Sequence, residues 1–521
     1  MEEISSIIVA TVITSLTLVL CKTHLFKPSH SKLPPGPFSI PIIGTFLWML
    51  KSKGFSDLEP ALVKLRARYG SIIKIGIFSR PVIFISSHSL AHQALIQDGA
   101  VFADRPPAPP VSKIVSSNQH NISSASYGIT WRLLRRNLTS QILHPSRVRS
   151  FSRARSWVLQ ILLRRIRNHH NQEQSSLRLK DHIHHAMFAL LVLMCFGDRL
   201  EEDQIHEVGR VQRRMLLGFR RFQILNLWPS ITKFLLRRQW KEFHQLRHEQ
   251  HQVLLPLIRA RKEKIGKGEG EEEQARTCYV DSLLEMELPD TDGNGEQRKR
   301  KLTEGEILGL CSEFLDGGTD TTTTALEWIM ANLVKCPDVQ EKLFREVESA
   351  VVEGSEEVFE EDLGKMRYLR AVCLEGLRRH PPGHFVLPHS VTEDTVLDGK
   401  FTIPKNAAVN FMVAEMGWDP KVWEDPMAFK PERFLEGGGG GEFDLTGSKE
   451  IKMMPFGAGR RMCPGYTLAM LHLEYFVANL VRNFKWEAAG EVDLAEKPEF
   501  TVVMKHPLEV KLSPRVRASS S

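Results

Sequence analysis

Phe456-Gly457-Ala458-Gly459-Arg460-Arg461-Met462-Cys463-Pro464-Gly465 carries more information than any other segment of this chain. It sets one cysteine among glycines, a proline and two arginines. A thiolate beside guanidinium charge is stabilised in the form that ligates metals. Glycines let a backbone approach a large flat ligand closely. Pro464 and Gly465 suit a tight loop leading into the apolar run Tyr466–Leu480, which reads as a helix. Pro464 has no N–H, so the N–H groups of its neighbours are left to tune the sulfur. An isolated cysteine in a turn is more often a structural free thiol. Here the spacing F-x-x-G-x-R-x-C-x-G is filled at each fixed position, which argues for a site.

A second segment looks like a long helix with an unsuitable middle. Thr303 and Glu306 form a capping box at its start. Ile307, Leu308, Leu310, Cys311, Phe314 and Leu315 recur with helical spacing. Apolar residues resume at Ala325 and run to Val334, and Pro337 marks the end. Between them lies Asp316-Gly317-Gly318-Thr319-Asp320-Thr321-Thr322-Thr323-Thr324. A mid-helix glycine costs about 1 kcal/mol relative to alanine, and β-branched threonines help little. Local rules broken inside an otherwise good helix point to function or a kink. A plain loop joining two helices is the bland alternative.

Two weaker patterns complete the set. Glu375 and Arg378 are three apart and share a helix face, a pairing worth about 0.2–0.5 kcal/mol on an exposed helix. E-x-x-R is common. It gains weight from His380-Pro381-Pro382 just after it and Pro431-Glu432-Arg433-Phe434 further on. Trp131 and Arg135 are four apart, again on one face, with Arg132 and Arg136 facing outward. A solvated basic helix accounts for the latter two.

Together these motifs resemble those of the cytochrome P450 haem-thiolate monooxygenases, in particular the plant microsomal A-type members such as family 89. The resemblance runs from Pro34 to about Pro507. It implies a mainly α fold with small β-sheets and haem b as cofactor, with Cys463 as the axial iron ligand. Trp131, Arg135, Gly317, His389, Phe456 and Arg461 would complete the cofactor site. Arg461, Trp131, Arg135 and His389 would lie at the propionates, and Gly317 and Gly318 would leave room for haem and O2. Asp320 and Thr321 would relay protons, because O–O cleavage needs proton delivery. Glu375, Arg378 and Arg433 would form a buried structural triad. The substrate pocket would draw on the Arg105–Ala125 loop, Phe314, Leu315, His384, Phe385, Val386 and Thr501–Met504, including Val502 and Val503. These are mainly apolar, with His384 as a polar contact, and suit a hydrophobic small molecule. Two positions depart from the family pattern: Ile129 replaces a common proline, and Trp418 stands where an arginine often precedes Asp419-Pro420.

The implied activity inserts one oxygen atom of O2 into a hydrophobic small molecule, in plant secondary metabolism. The chain has no flavin- or nicotinamide-binding fingerprint of its own. Electrons would come from NADPH through NADPH–cytochrome P450 reductase, with cytochrome b5 as a further donor. A haem-thiolate isomerase or dehydratase and a non-catalytic haem sensor are the competing classes. Neither needs the Asp320-Thr321 pair.

The N-terminus reads as an anchor. Ile4 to Cys21 is 18 residues without a charge, preceded by Glu2 and Glu3 and followed by Lys22, Lys27 and Lys32. A spanning helix takes about 20 apolar residues, and a secretory signal would carry its basic residues first. The positive flank predicts that the following chain stays cytosolic, and the resemblance to microsomal members implies a single-pass protein of the endoplasmic reticulum membrane. Residues 1–32 are then anchor and flank. Residues 33–521 are the monooxygenase domain, opened by a stiff hinge at 33–37, Leu33-Pro34-Pro35-Gly36-Pro37.

The 521 residues are 42% hydrophobic and 25% charged, enough for a large core. Length alone suggests about three domains, but no long linker divides the chain. A net charge of +7 with scattered arginines excludes a nucleic-acid stripe. Seven cysteines, without a CxxC, point to a reducing compartment. Ser71–Ile75 and Arg80–Ser86 read as strands and Arg132–Ile265 as chiefly helical. Gly266–Glu273, Asp290–Gln297 and Gly437–Gly441 read as loops. His244, His248 and His251 share a helix face, but a solvated face explains them better than a metal site. The sequons at Asn121 and Asn137 would be unmodified in a cytosolic body. Leu225–Trp240 mixes Trp228, Phe234, Leu235, Leu236 and Trp240 with Lys233, Arg237 and Arg238. Dipping into the membrane interface and packing on the core are equally open for it.

Overall fold

The structure, a computed structural model, describes residues 33–37, 58–77, 80–171, 176–226, 229–267, 278–291, 297–435 and 443–515. The expected anchor Ile4–Cys21, Trp228 and the glycines Gly437–Gly441 lie outside them.

Helix α1 (Leu58–Tyr69) leads into strands β1 (Ile72–Ile77) and β2 (Arg80–Ile85). They pair antiparallel, with Ile73 opposite Phe84 and Ile75 opposite Val82. Such β-branched and aromatic cross-strand pairs stabilise a hairpin. The helical region follows as α2 (Ile129–Gln141), α3 (Ser152–Asn171), α4 (Leu179–Phe196), α5 (Glu202–Phe222), α6 (Pro229–Leu235) and α7 (Arg237–Gly266). Helix α4 is apolar and long enough to cross a membrane. It is nevertheless mostly buried in the body, so it is a core helix.

After α8 (Tyr279–Glu285), β3 (Glu287–Thr291) pairs with β4 (Gln297–Lys301). The stretch Asp290–Gln297, expected as a loop, thus contributes both its ends to a hairpin. Opposite charges explain the pairing: Glu287 faces Lys301 and Asp290 faces Arg298.

Helix α9 (Glu304–Lys335) runs for 32 residues without a break through its glycines and threonines. Its start is the expected capping box: Thr303 N–H donates to Glu306 Oε2 at 2.8 Å, and Glu306 N–H to Thr303 Oγ1 at 3.3 Å. Close packing offsets the cost of Gly318, because a Cβ there would lie 2.3 Å from Leu191 Cδ1 of α4. Gly318 therefore serves helix contact rather than leaving space for haem. The same device recurs at Gly376 of α10 (Arg367–Arg379), where a Cβ would lie 2.4 Å from Ile329 of α9.

Strands β5 (His389–Ser390) and β6 (Ala408–Phe411) complete the first sheet in the order β1-β2-β6-β5, with β6 parallel to β2. Helix α11 (Tyr466–Asn483) extends the expected Tyr466–Leu480 run, and the hairpin of β7 (Glu496–Pro498) and β8 (Val502–Met504) follows. The main core holds Phe188, Leu315, Trp328, Leu369 and Phe476. A second core under the sheet holds Ile83, Phe102, Phe411 and Met454. The fold is mainly α with small β-sheets.

Candidate functional site

Cys463 lies between a short 3-10 turn at Gly459–Arg461 and α11. Its N–H donates to Phe456 O at 2.8 Å and closes the loop. Gly457 and Gly459 take φ of +69° and +70°, where glycine is free of Cβ strain. A Cβ on Gly459 would also stand 2.0 Å from Leu95 O, so the backbone itself requires glycine there. Burial pushes the Cys463 thiol up, while the Gly465 N–H and the charge of Arg135 pull it down.

The two arginines beside the cysteine do not supply that charge, contrary to expectation. Arg460 donates to the Tyr127 hydroxyl. Arg461 donates to Ala103 O (2.7 Å), Ile122 O (3.3 Å) and Ala125 O (2.6 Å), with its guanidinium 4.3 Å from the Trp131 ring centre. The cation acting on sulfur comes from α2 instead. Arg135 donates to Met462 O at 2.6 Å, and Trp131 on the same face donates to Ile122 O at 3.1 Å.

A fourth cationic side chain joins them. Arg105 is buried and donates to Ser123 O, Leu387 O and Pro388 O at 2.8–2.9 Å. The sequence reading placed it only at the start of a pocket loop. Its signal was a lone arginine between Asp104 and Pro106. Burial, then the charge of Arg461, lowers Arg105 to about 9. Burial lowers Arg461 to about 10 and also shifts Arg135 downward. His389 is held neutral by burial, at about 3, with Nδ1 2.7 Å from Phe102 O. Its Nε2 alone is left for an incoming group. Asp104 and Glu313 offset this crowding of cations only in part. Such a cluster suits an added anion.

Helix α9 contributes an open strip. Between Glu306 and Val334, only Glu313, Phe314, Asp316, Gly317, Gly318 and Thr321 keep accessible surface. At Gly317 a Cβ would meet nothing within 4 Å. A helix buried at both ends and open in its middle borders an internal space. Phe314 packs 5.2 Å from Tyr279 and stays partly open. Leu315, expected in the pocket, is fully buried in the main core, because it sits on the opposite face of the helix. Asp320 and Thr321 point to different neighbours. Asp320 is ion-paired with Arg213 of α5, with His184 of α4 at 4.0 Å. The Thr321 hydroxyl donates to Gly317 O at 2.7 Å.

The remaining pocket residues divide. Val386 lies beside the cysteine loop, 3.8 Å from where a Cβ of Gly457 would stand. Phe385 packs edge-on to Phe84 at 6.0 Å. His384 is engaged by carboxylates, with Nδ1 2.6 Å from Glu59 Oε1 and Nε2 3.5 Å from Glu496 Oε2. Its Nδ1 is thus committed to α1, while Nε2, near β7, makes no hydrogen bond among the described residues. Val502 and Val503 are buried in β8. Trp328 donates to Val502 O at 2.8 Å, and Thr501 Oγ1 is 2.8 Å from Thr324 Oγ1, so this hairpin docks on α9.

These residues fit a haem. A cysteine is presented for iron, guanidiniums gather where carboxylates would lie, and a glycine opens the helix strip. A family model described as Cytochrome P450 matches residues 34–514. The chain belongs to the cytochrome P450 family. Cytochrome P450 89A9 of Arabidopsis thaliana is 51% identical over 520 residues, spanning 98% of this chain and 99% of the relative, which supports the grouping with plant family 89. Flavonoid 3'-monooxygenase of Arabidopsis thaliana is 30% identical over 521 residues, spanning 98% and 97%. A solved zebrafish cytochrome P450 with progesterone shares the fold at a TM-score of 0.73 and 22% identity, covering 88% of this chain and 99% of that one.

This P450 is therefore a haem-thiolate monooxygenase. Glu375 and Arg378 are both fully buried, with Nε–Oε2 at 2.7 Å and Nη2–Oε1 at 2.8 Å. Arg433 Nε reaches Glu375 Oε1 at 3.1 Å, and Lys430 N–H donates to the same oxygen at 2.8 Å. Arg378 also donates to Gly417 O and Pro426 O at 2.7 and 2.8 Å. The triad thus pins the loop 417–433 to α10. Among the described residues no group of three or more His, Cys, Asp or Glu side chains could hold a metal ion, and His244 instead packs on Trp240 at 5.7 Å.

Proposed function

We propose that this P450 inserts one oxygen atom of O2 into a hydrophobic small molecule, and that Cys463 would hold the iron of haem b as its thiolate ligand. Electrons come from NADPH through membrane-bound NADPH–cytochrome P450 reductase, with cytochrome b5 as a further donor. The observation carrying this reading is the Cys463 loop, closed by Cys463 N–H to Phe456 O, with Gly457 and Gly459 at positive φ and with the Gly465 N–H and the charge of Arg135 offsetting part of the rise that burial imposes on the thiol. Bound haem supplies O2 binding and activation. The chain supplies the rest. Arg105, Arg135, Arg461 and Trp131 hold the carboxylates, and His389 offers Nε2. Thr321 keeps a hydroxyl on the open strip, where it can pass on a proton. Asp320 is paired as a carboxylate with Arg213, whose guanidinium also reaches Glu499 at 3.5 Å near solvent, so it is placed to take up a proton from that side and hand it on. Phe314, Val386 and the Thr501–Met504 hairpin give the substrate apolar walls.

The body faces the cytosol from a single-pass anchor at Ile4–Cys21 in the endoplasmic reticulum membrane. Ile224, Ile231, Phe234 and Leu235 are exposed near Lys233, Arg237 and Arg238, which supports seating this face at a lipid surface. Leu225 and Trp240 of the same segment are buried in a small core of their own, so it both packs and presents an apolar edge. Asn121 is buried and Asn137 bonds Ser282 O at 3.3 Å, in keeping with unmodified sequons.

Reconstitution with a plant reductase, NADPH and a panel of lipophilic compounds under isotopically labelled O2 tests the reading. One labelled oxygen per product molecule, dependent on NADPH, is expected. Conversion of a hydroperoxide without NADPH would make the protein an isomerase instead.

A further inference from the structure

Asp316 has no part in the chemistry above, yet it stands next to Gly317 on the open strip of α9. Its carboxyl has only neutral, distant donors. Oδ1 is 3.3 Å from Gln212 Nε2 of α5, and Oδ2 is 3.3 Å from Ser312 Oγ one turn back. Behind them runs a buried amide network. Gln250 of α7 donates to Gln212 Oε1 at 2.6 Å and to Ser312 Oγ at 2.9 Å, and Arg247 donates to Gln250 Oε1. That network braces Gln212 and Ser312, so it fixes where the carboxyl lies.

The charged groups around Asp316 do not neutralise it. Glu313, on its own helix, repels. Arg213 of α5 attracts, but its guanidinium is committed to Asp320 and Glu499. Arg247 of α7 is bonded to Gln250. His184 of α4 lies beside Asp320. No ion pair to Asp316 occurs among the described residues. Burial accordingly pushes the acid up to about 8. The polar side chains of the strip are Glu313, Asp316 and Thr321, two acids and a hydroxyl. Glu313 is already satisfied by the N–H groups of Ile122 and Ser123 at 2.8 and 2.6 Å.

We propose that Asp316 is a substrate-recognition residue that pairs with the cationic nitrogen of an otherwise apolar amine held against α9. A carboxyl with no ion-paired cation, braced only by a neutral amide and a hydroxyl, is the arrangement an ammonium needs to leave water. Pairing favours the ionised acid. At neutral pH the group therefore gives its proton to solvent as the cation enters. The proposal rests on the reading of the strip as the wall above a haem.

The test uses the full-length, haem-loaded protein with phenylbutyltrimethylammonium and its neutral isostere, in which carbon replaces nitrogen. Neither can ligate iron. Binding is followed by the Soret shift and by calorimetry in buffers of differing ionisation enthalpy. At pH 7 the cation is expected to bind about ten-fold more tightly than the isostere and to release about one proton. Its affinity should rise with pH and level off above about pH 8. Asp316→Asn should abolish the preference and the proton release while keeping isostere binding and the ferrous–carbon monoxide band. Equal affinities without proton release in the wild type would overturn the proposal and leave the pocket reading standing. Undiminished proton release in Asp316→Asn would also overturn it. A Soret band moved by neither compound would overturn the pocket reading and the proposal with it.

Discussion

Arg213 of α5 is ion-paired with Asp320 of α9, and the same guanidinium reaches Glu499 at 3.5 Å, which in turn meets Lys497 at 2.8 Å. The buried acid of α9 is thereby linked to a charged surface edge. Thr321, the next residue, bonds back to Gly317 O and stays on the open strip. On the proposed reading, the helix sets the acid that would relay protons one residue from the hydroxyl that would deliver them.

That separation gives distinct outcomes for the two residues. Thr321→Ala should keep haem and divert electrons to hydrogen peroxide or water. Asp320→Asn should slow turnover roughly 100-fold, as loss of a positioned proton-transfer group does. NADPH consumption, peroxide and product are measured together. Unchanged coupling in both variants would remove the pair from proton delivery.

Cys463→His should abolish the red-shifted Soret band of the ferrous–carbon monoxide complex. The wild type should show that band. A wild-type spectrum of the histidine-ligated kind would sink the assignment of Cys463.

The Glu375–Arg378 pair is fully enclosed, so removing Arg378 leaves Glu375 buried with only Arg433 as a cationic partner and frees the carbonyls of Gly417 and Pro426. Arg378→Leu should cost about 3–5 kcal/mol. The measurement is the melting temperature together with haem content. A variant that melts with the wild type would show that backbone contacts alone hold the 417–433 loop.

Glu306 provides a pH test of the α9 cap. Burial raises its pKa, but Arg300, the Thr303 N–H and His120 outweigh it and hold the carboxyl at about 2. A carboxylate depressed in the folded state contributes stability that is complete above its unfolded value, near 4.5, and is lost as pH falls toward 2. Glu306→Gln should cost about 1–2 kcal/mol at neutral pH, since Arg300 and His120 are 29% and 36% exposed and water screens them. The difference from wild type should shrink between pH 4.5 and 2 in denaturant titrations. A constant difference across that range would assign the loss to packing.

The cysteine loop, the capped α9 and the Glu375–Arg378 pair were legible because each depends on residues close together in sequence or on a fixed helical spacing, whereas Arg433 joined the triad only through the family resemblance. What escaped depends on tertiary direction. Arg460 and Arg461 flank Cys463 in the chain, but their guanidiniums leave for Tyr127 and the 103–125 carbonyls. Arg105 and Arg135 arrive from elsewhere. Gly317 and Gly318 look alike in sequence. Only the position of α4 makes the second a packing glycine. Leu315 reads like Phe314 until the helix face is known. The Asp290–Gln297 ends read as loop by composition, whereas charge pairing across strands sets their fold.

The electron-donor face can be tested through α2. Arg132 lies 5.0 Å from the Tyr127 ring centre, and Arg460 lies 5.4 Å from it while donating to the Tyr127 hydroxyl. The Tyr127 ring lies tilted against Trp131, with centres 5.4 Å apart. Arg132 and Arg136 are exposed one turn apart, and Arg460 is exposed beside the cysteine loop. Basic side chains on this face would steer an acidic reductase surface, an attraction that fades as salt rises. Arg132 also clamps Tyr127, so a fold effect must be separated from a docking effect. Charge reversal of Arg132 and Arg136 together should raise the apparent KM for reductase about three- to ten-fold at low salt, the scale of two exposed charges. The difference should narrow with added salt, and peroxide-driven turnover should be unchanged. Arg136→Glu alone leaves the tyrosine clamp intact and should give a smaller shift of the same kind. Equal falls in reductase-driven and peroxide-driven rates would mean that these arginines support the haem side of the fold and do not dock the donor.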